Sequence, residues 1–215
     1  GAGRWRRHRD RAGARLGHPA NARWLHERLK ALGLAERDAS WSIAAYTAYE
    51  YSPSLTRLQG WAQSLRQEVG TDEVELAAIT LMWLLTSPNR FLRDKVTRTL
   101  TSLLAKRLPV AGTLITLSSE IDDPYVQERV LLSCYGALMI AGDSDRDGSQ
   151  GTIEALSAWS RTGLPVHVLA RDSARGMAAW AEARGILTDE RKVAFDPPYG
   201  CLLYTSDAAD ERTSV

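Results

Sequence analysis

The chain has 215 residues, with 27 basic against 26 acidic side chains and a formal net charge of +1. A chain so close to neutral is not expected to bind nucleic acid along its whole length. Its length allows one or two domains with a sizeable core. Cys134 is the one cysteine ahead of the last fifteen residues, which excludes a disulfide framework and fits a reducing cytoplasm. The longest apolar stretch, 74–85, is too short to span a bilayer, which takes about 20 apolar residues.

Residues 1–20 form a basic arm or linker with little apolar periodicity. Its arginines are Arg4, Arg6, Arg7, Arg9, Arg11 and Arg15. Such an arm can meet nucleic-acid phosphates. A solvated linker is the favoured interpretation, because Trp5 is its one aromatic residue and the rest of the chain is near neutral.

From Asn21 onward apolar residues recur at helical spacing, in one segment after another, and no segment has the pattern of a strand. The predicted helix starts are Asn21, residue 39, Pro53, Thr71, Pro88, Pro109, Asp123, residue 152 and Pro165. Asn21 and Asp123 are expected to cap helices, and Pro53 is expected to end one. We therefore predict an all-α fold over 21–184, built from antiparallel helix pairs with short loops.

The helix after Thr71 is apolar on most sides and is predicted to lie at the centre of the core, with Trp83 buried. Trp24, Trp41, Trp61 and Trp83 occur one to a helix in four successive helices. This distribution is typical of tryptophans that pack one helix against the next.

The stretch "DSDRDGSQGTIE", 143–154, matches the spacing of an EF-hand calcium loop. Its ligand positions hold Asp143, Asp145, Asp147 and Glu154, with Gly148 at the turn. Gln150 stands where an aliphatic residue normally pairs with a second loop, and the chain has no second loop. A flexible, exposed linker is the favoured interpretation, with calcium binding as the alternative.

The last fifteen residues, 201–215, resemble a translated sequencing adapter of the transposase-library type and are excluded from fold reasoning. The chain also opens at Gly1 without a starting Met. We therefore expect 21–200 to be an internal piece of a longer protein.

Motifs for chemistry are missing from the sequence. It holds no GxxxxGK loop for phosphate, no GxSxG, no HExxH and no paired CxxC. The histidines lack partners at metal-ligand spacing, and His167, near Asp172, is interpreted as a surface or packing residue rather than a general base. The segment is predicted to be non-catalytic and to hold no cofactor.

Three stretches share a layout in which an acidic start is followed by an inward apolar residue and then an arginine. They are "LRDKVTRTLTSLL", "DPYVQERVLLSCYGAL" and "LARDSARGMAAWA". This layout is similar to the second helices of HEAT-type repeats, which stack into an α-solenoid. Asp94 can pair with Arg98, and Asp172 with Arg175, and in such stacks these residues join neighbouring repeats.

These stretches, with "LHERLKALGLAERDASWS" and "DPPYG", resemble the helical region of large bacterial STAND-type (NACHT-like) P-loop NTPases of the antiphage-defence kind. The resemblance implies a sensor or scaffold array with protein partners or other domains of its own chain, and ATP with magnesium bound elsewhere in the parent protein. The alternatives are a free-standing HEAT-like adaptor or nucleic-acid-binding protein, or a calcium-binding helical module.

Overall fold

The computed structural model describes residues 17–51, 53–66, 68–187 and 195. All regular structure in these residues is helical, which confirms the all-α prediction. The helices are α1 (Ala22–Lys30), α2 (Leu34–Arg37), α3 (Ile43–Tyr51), α4 (Pro53–Gln63), α5 (Thr71–Leu84), α6 (Arg90–Leu104), α7 (Leu108–Ser119), α8 (Pro124–Ala141), α9 (Arg146–Thr162) and α10 (Val168–Glu182). A π-helical turn over Asp38–Ser42 joins α2 to α3. Most of the predicted arm 1–20, and all of the tail 201–215, lie outside the described residues.

Helix starts follow the local chemistry of the sequence. Asn21, Asn89 and Asp123 each accept hydrogen bonds from the backbone N–H groups two and three residues further on. These bonds satisfy donors that an α-helix leaves without a partner in its first turn. Proline stands at the first position of α4 and of α8, where it has no N–H to lose. Thr71, the predicted start of α5, is the first residue of that helix, and Gly70 precedes it.

The helices pack in two rows. The first row runs α1, α5, α7, α9, and the second runs α4, α6, α8, α10, each helix contacting the next one in its row. Helices that follow one another in sequence also pack across the rows, α5 on α6, α7 on α8 and α9 on α10. The HEAT-like solenoid inferred from the repeats stays a prediction.

The core lies between these two rows. Helix α5 is buried on most sides, and Trp83 is fully buried there, as expected. Leu100, Leu114 and Leu138 from the next three helices are fully buried as well. The part of the chain that the structure describes contains no helix long and apolar enough to cross a lipid bilayer.

Two helix starts differ most from prediction. The helix expected from residue 39 already begins at Leu34 and passes through the π-helical turn. The helix expected from residue 152 begins at Arg146, so that the segment predicted to be an exposed linker is largely helical.

Candidate functional site

The aspartate- and glycine-rich stretch 143–154 is not an EF-hand loop. Asp147 and Glu154 lie on α9, which begins inside the stretch, whereas an EF-hand loop has to curve around its ion. The linker interpretation is also wrong, because Gly148 and Ser149 are buried. The described residues hold no group of three or more His, Cys, Asp or Glu side chains that could bind a metal ion.

The carboxylates of this stretch have other partners within the protein. Arg184 donates from Nε to Oδ1 of Asp143 over 2.6 Å, which ties the end of α8 to the end of α10. Asp145 caps α9 by accepting the N–H of Gly148 over 2.9 Å. On α9 itself, Gln150 donates to Glu154 over 3.0 Å. These contacts point to a structural role for the acidic residues.

The glycines of this stretch allow α7 and α9 to pack closely. A Cβ atom on Gly148 would lie 2.5 Å from Oδ2 of the cap residue Asp145 and 2.8 Å from the Cβ of Leu108 on α7, distances that real Cβ atoms essentially never show. One on Gly112 would lie 3.1 Å from the backbone oxygen of Gly151. At the same crossing Thr152 donates from Oγ1 to the backbone oxygen of Leu108 over 3.1 Å. Tertiary packing therefore explains a composition that suggests a loop.

Replacing Gly148 by alanine is expected to lower the free energy of unfolding by about 1–2 kcal/mol, because overpacking outweighs the gain in helix propensity. The matched control is Gly151→Ala on the same helix, where an added Cβ meets nothing within 4 Å. That change is expected to stabilise the protein by about 0.5–1 kcal/mol. Urea unfolding followed by circular dichroism measures both. Equal stabilisation by the two changes would contradict the close packing of α7 and α9.

Calcium titration of the chain is expected to give a dissociation constant no tighter than about 1 mM, since a tight site needs several oxygen ligands in one rigid frame. Asp143 is already paired with Arg184, and Asp145 is already used as a cap. Isothermal titration calorimetry measures the affinity, and an Asp143→Ala, Glu154→Ala double variant is the control. Micromolar binding that disappears in the double variant would restore the calcium hypothesis.

Polar contacts join successive helices of the second row. Asp94 on α6 pairs with Arg129 on α8 over 3.3 Å, rather than with Arg98 of its own helix as predicted. Glu128 on α8 lies 3.0 Å from Nδ1 of His167 at the start of α10, a partner that the sequence analysis did not identify. Both contacts connect one helix of this row to the next.

The other residues assigned to repeat junctions lie on the surface. Arg98 is exposed on α6, and Asp172 and Arg175 are exposed on α10. The pairing of Asp172 with Arg175 stays a prediction.

Close contacts at two glycines accompany these polar ones. A Cβ on Gly136 of α8 would lie 2.9 Å from Cγ2 of Thr101 on α6. One on Gly176 of α10 would lie 2.7 Å from the ring of Tyr135 on α8. Each glycine thus lies where its helix crosses the preceding helix of the second row.

Tyr125, in the first turn of α8, has two arginines close to its ring. The guanidinium carbon of Arg93 is 4.6 Å from the centre of its ring, and that of Arg129 is 5.0 Å away, both within cation–π range. Arg93 also donates to the backbone oxygen of Ser87, just before α6. These contacts join the start of α8 to α6.

A second polar cluster surrounds Trp83. The ring of His26 on α1 lies 5.7 Å from it, and the Arg37 guanidinium carbon lies 5.8 Å from it. Arg37 is 1% exposed and donates to the backbone oxygens of Leu32 and Asp122. Sequence reasoning missed both polar residues. The available signal was the position of His26, four residues after Ala22 on the apolar stripe of α1.

Cys134 is not suited to nucleophilic chemistry. It is fully buried on α8, and burial raises the pKa of its thiol far above the ordinary range. The thiolate that attack or metal binding requires is therefore strongly disfavoured. Its Sγ lies 3.7 Å from the backbone oxygen of Ala111, which fits a packing role.

Comparison with known proteins gives no match: no family model, no curated protein and no solved structure is similar to this chain. The candidate sites therefore rest on their own geometry.

Proposed function

We propose that residues 21–200 are a HEAT-like helical-repeat segment, and that it acts as a non-catalytic sensor or scaffold in a larger STAND-type NTPase of bacterial antiphage defence. The observation that carries the proposal is the succession of similar contacts in the second row, where α8 meets α6 as α10 meets α8. In repeat proteins each unit contacts only its neighbours, so equivalent contacts recur.

Exposed apolar side chains on two N-terminal helices and on the last helix of the second row support a longer array. On α2 and α3, Leu34 is 42% exposed and Ile43 is 58% exposed. On the last helix of the second row, Val168 is 71% exposed and Leu169 is 52% exposed. Adjoining repeats, other domains or a protein partner would cover such surfaces.

The proposal makes the parent protein a cytoplasmic enzyme that binds ATP and magnesium through a module outside this segment. The segment itself contributes recognition or restraint. Its surfaces then bind a protein or another domain of the parent chain, and no membrane is involved.

Recovery of the coding sequence upstream of Gly1 tests the proposal directly. A GxxxxGK motif followed by Ser or Thr, in the same reading frame and ahead of the helices, is the expected result. A start codon close to Gly1 would overturn the assignment to a larger NTPase and favour a free-standing adaptor.

Titration of the purified chain with ATP and magnesium tests the non-catalytic role. No saturable binding is expected, because the phosphate-binding loop is assigned to another part of the parent protein. Saturable binding of ATP by the purified chain would contradict a purely structural role.

A further inference from the structure

Helix α1 is attached to the rest of the protein by a narrow face. Its buried residues are Ala22, His26 and Leu29, which lie on one side of the helix. Within the first row this face packs against α5. A titratable side chain thus stands at the centre of the contact that holds α1 in place.

The environment of His26 favours a neutral ring. The residue is 2% exposed, and its ring packs against Trp83 at an interplanar angle of 53°. Neither ring nitrogen has a hydrogen-bond partner among the described residues. A protonated imidazole carries two N–H donors and a charge, and burying these without partners is costly.

The charged groups around His26 come from four helices. On α1, Glu27 has a carboxylate oxygen 4.0 Å from Nε2, and Lys30 lies one turn further on. Glu120, directly after α7, binds Lys30 over 2.7 Å. Arg37 of α2 lies near the ring of Trp83.

On α5, Glu75 and Asp72 are held by Arg23, at 2.8 Å and 3.5 Å. Burial lowers the pKa of His26 from its ordinary value of 6.5, Glu27 and Glu120 oppose that effect, and Lys30 adds to it.

We propose that α1 is a proton-released helix: protonation of His26 detaches α1 from α5 and uncovers the Trp83 side of the core. Detached His26 binds a proton more readily than docked His26, so a fall in pH favours the detached state. Docking is complete above the ordinary histidine pKa of about 6.5 and weakens as the pH falls below it. This inference does not depend on the proposed function of the whole chain.

Amide hydrogen exchange of the full chain, read by mass spectrometry and corrected for the intrinsic pH dependence of exchange, tests the proposal. Between pH 7.5 and pH 5.5 the protection of α1 peptides is expected to fall by up to about tenfold, because one proton is linked to detachment. Peptides from α8 are expected to keep their protection.

Two variants distinguish the effect of His26 from that of the charged groups around it. His26→Leu puts an apolar side chain of similar size in place of the imidazole and is expected to abolish the pH-dependent loss of protection in α1. His18→Asn, just ahead of α1, is the matched control, and it is expected to show the same loss of α1 protection as the unmodified chain. Should His26→Leu fail to fold, NMR titration of the imidazole in the unmodified chain replaces it, with a His26 pKa below 6.5 as the expected result.

Three results would overturn the proposal. The first is an α1 protection that does not change between the two pH values. The second is a loss of α1 protection in the His26→Leu variant as large as in the unmodified chain, which would assign the effect to the carboxylates that pair with Arg23 and Lys30. The third is a His26 pKa at or above 6.5 while α1 remains docked.

Discussion

Replacing Trp83 by alanine is expected to lower the free energy of unfolding by about 3–5 kcal/mol. The side chain is fully buried in the last turn of α5, so its removal leaves a large cavity in a close-packed core. Contacts from other helices converge there, since Trp41 donates from its indole nitrogen to the backbone oxygen of Trp83 over 2.8 Å. Collapse around the cavity would have to displace α1, α2 and the π-helical turn together.

Trp24→Ala is the matched control, because Trp24 is 42% exposed on α1. Its removal is expected to lower the free energy of unfolding by about 1 kcal/mol or less, because it creates no enclosed cavity. Chemical denaturation of both variants at neutral pH measures the difference. A cost of only a few tenths of a kcal/mol for Trp83→Ala would show that α5 is not the centre of the core.

Replacing Arg37 by alanine is expected to cost about 2–4 kcal/mol, because hydrogen bonds to a charged group contribute about 1.5–3 kcal/mol each. Its Nη1 lies 2.9 Å from the backbone oxygen of Leu32, and its Nη2 contacts that of Asp122. One side chain thereby joins the N-terminal helices to the turn between α7 and α8. Arg37→Lys is expected to recover only part of the loss, since an ammonium lacks the planar fork that reaches both oxygens.

Arg28→Ala is the control for Arg37. Arg28 is exposed on α1 and lies 5.7 Å from the ring of Trp24, so its removal is expected to cost about 0.5 kcal/mol or less. Urea unfolding at several salt concentrations measures both variants, and the cost at the buried site should depend little on salt. An Arg37→Ala cost as small as that of Arg28→Ala would mean that water replaces the guanidinium.

Local chemistry made much of the fold predictable. The caps at Asn21 and Asp123 depend on residues two or three positions away, so the sequence alone identifies them. The burial of α5 follows from an apolar composition on most of its sides. These features do not depend on which helix packs against which.

Features that depend on distant residues were mispredicted or missed. The stretch around Gly148 has the composition of a loop, and its helix becomes understandable only when α7 is seen to pack against it. His26 and Arg37 have the polarity of solvent-facing residues, and tertiary contacts alone bury them. The partner of Asp94 lies 35 residues away, whereas periodicity favours partners one turn apart.

The glycines at the crossings of the second row have a mechanical consequence. At Gly136 and Gly176 the distance between neighbouring helices is set by the absence of a single methyl group. A methyl added at either crossing has to displace the Thr101 side chain, the Tyr135 ring or the helix itself, so each glycine sets how closely one pair of helices in the second row can approach.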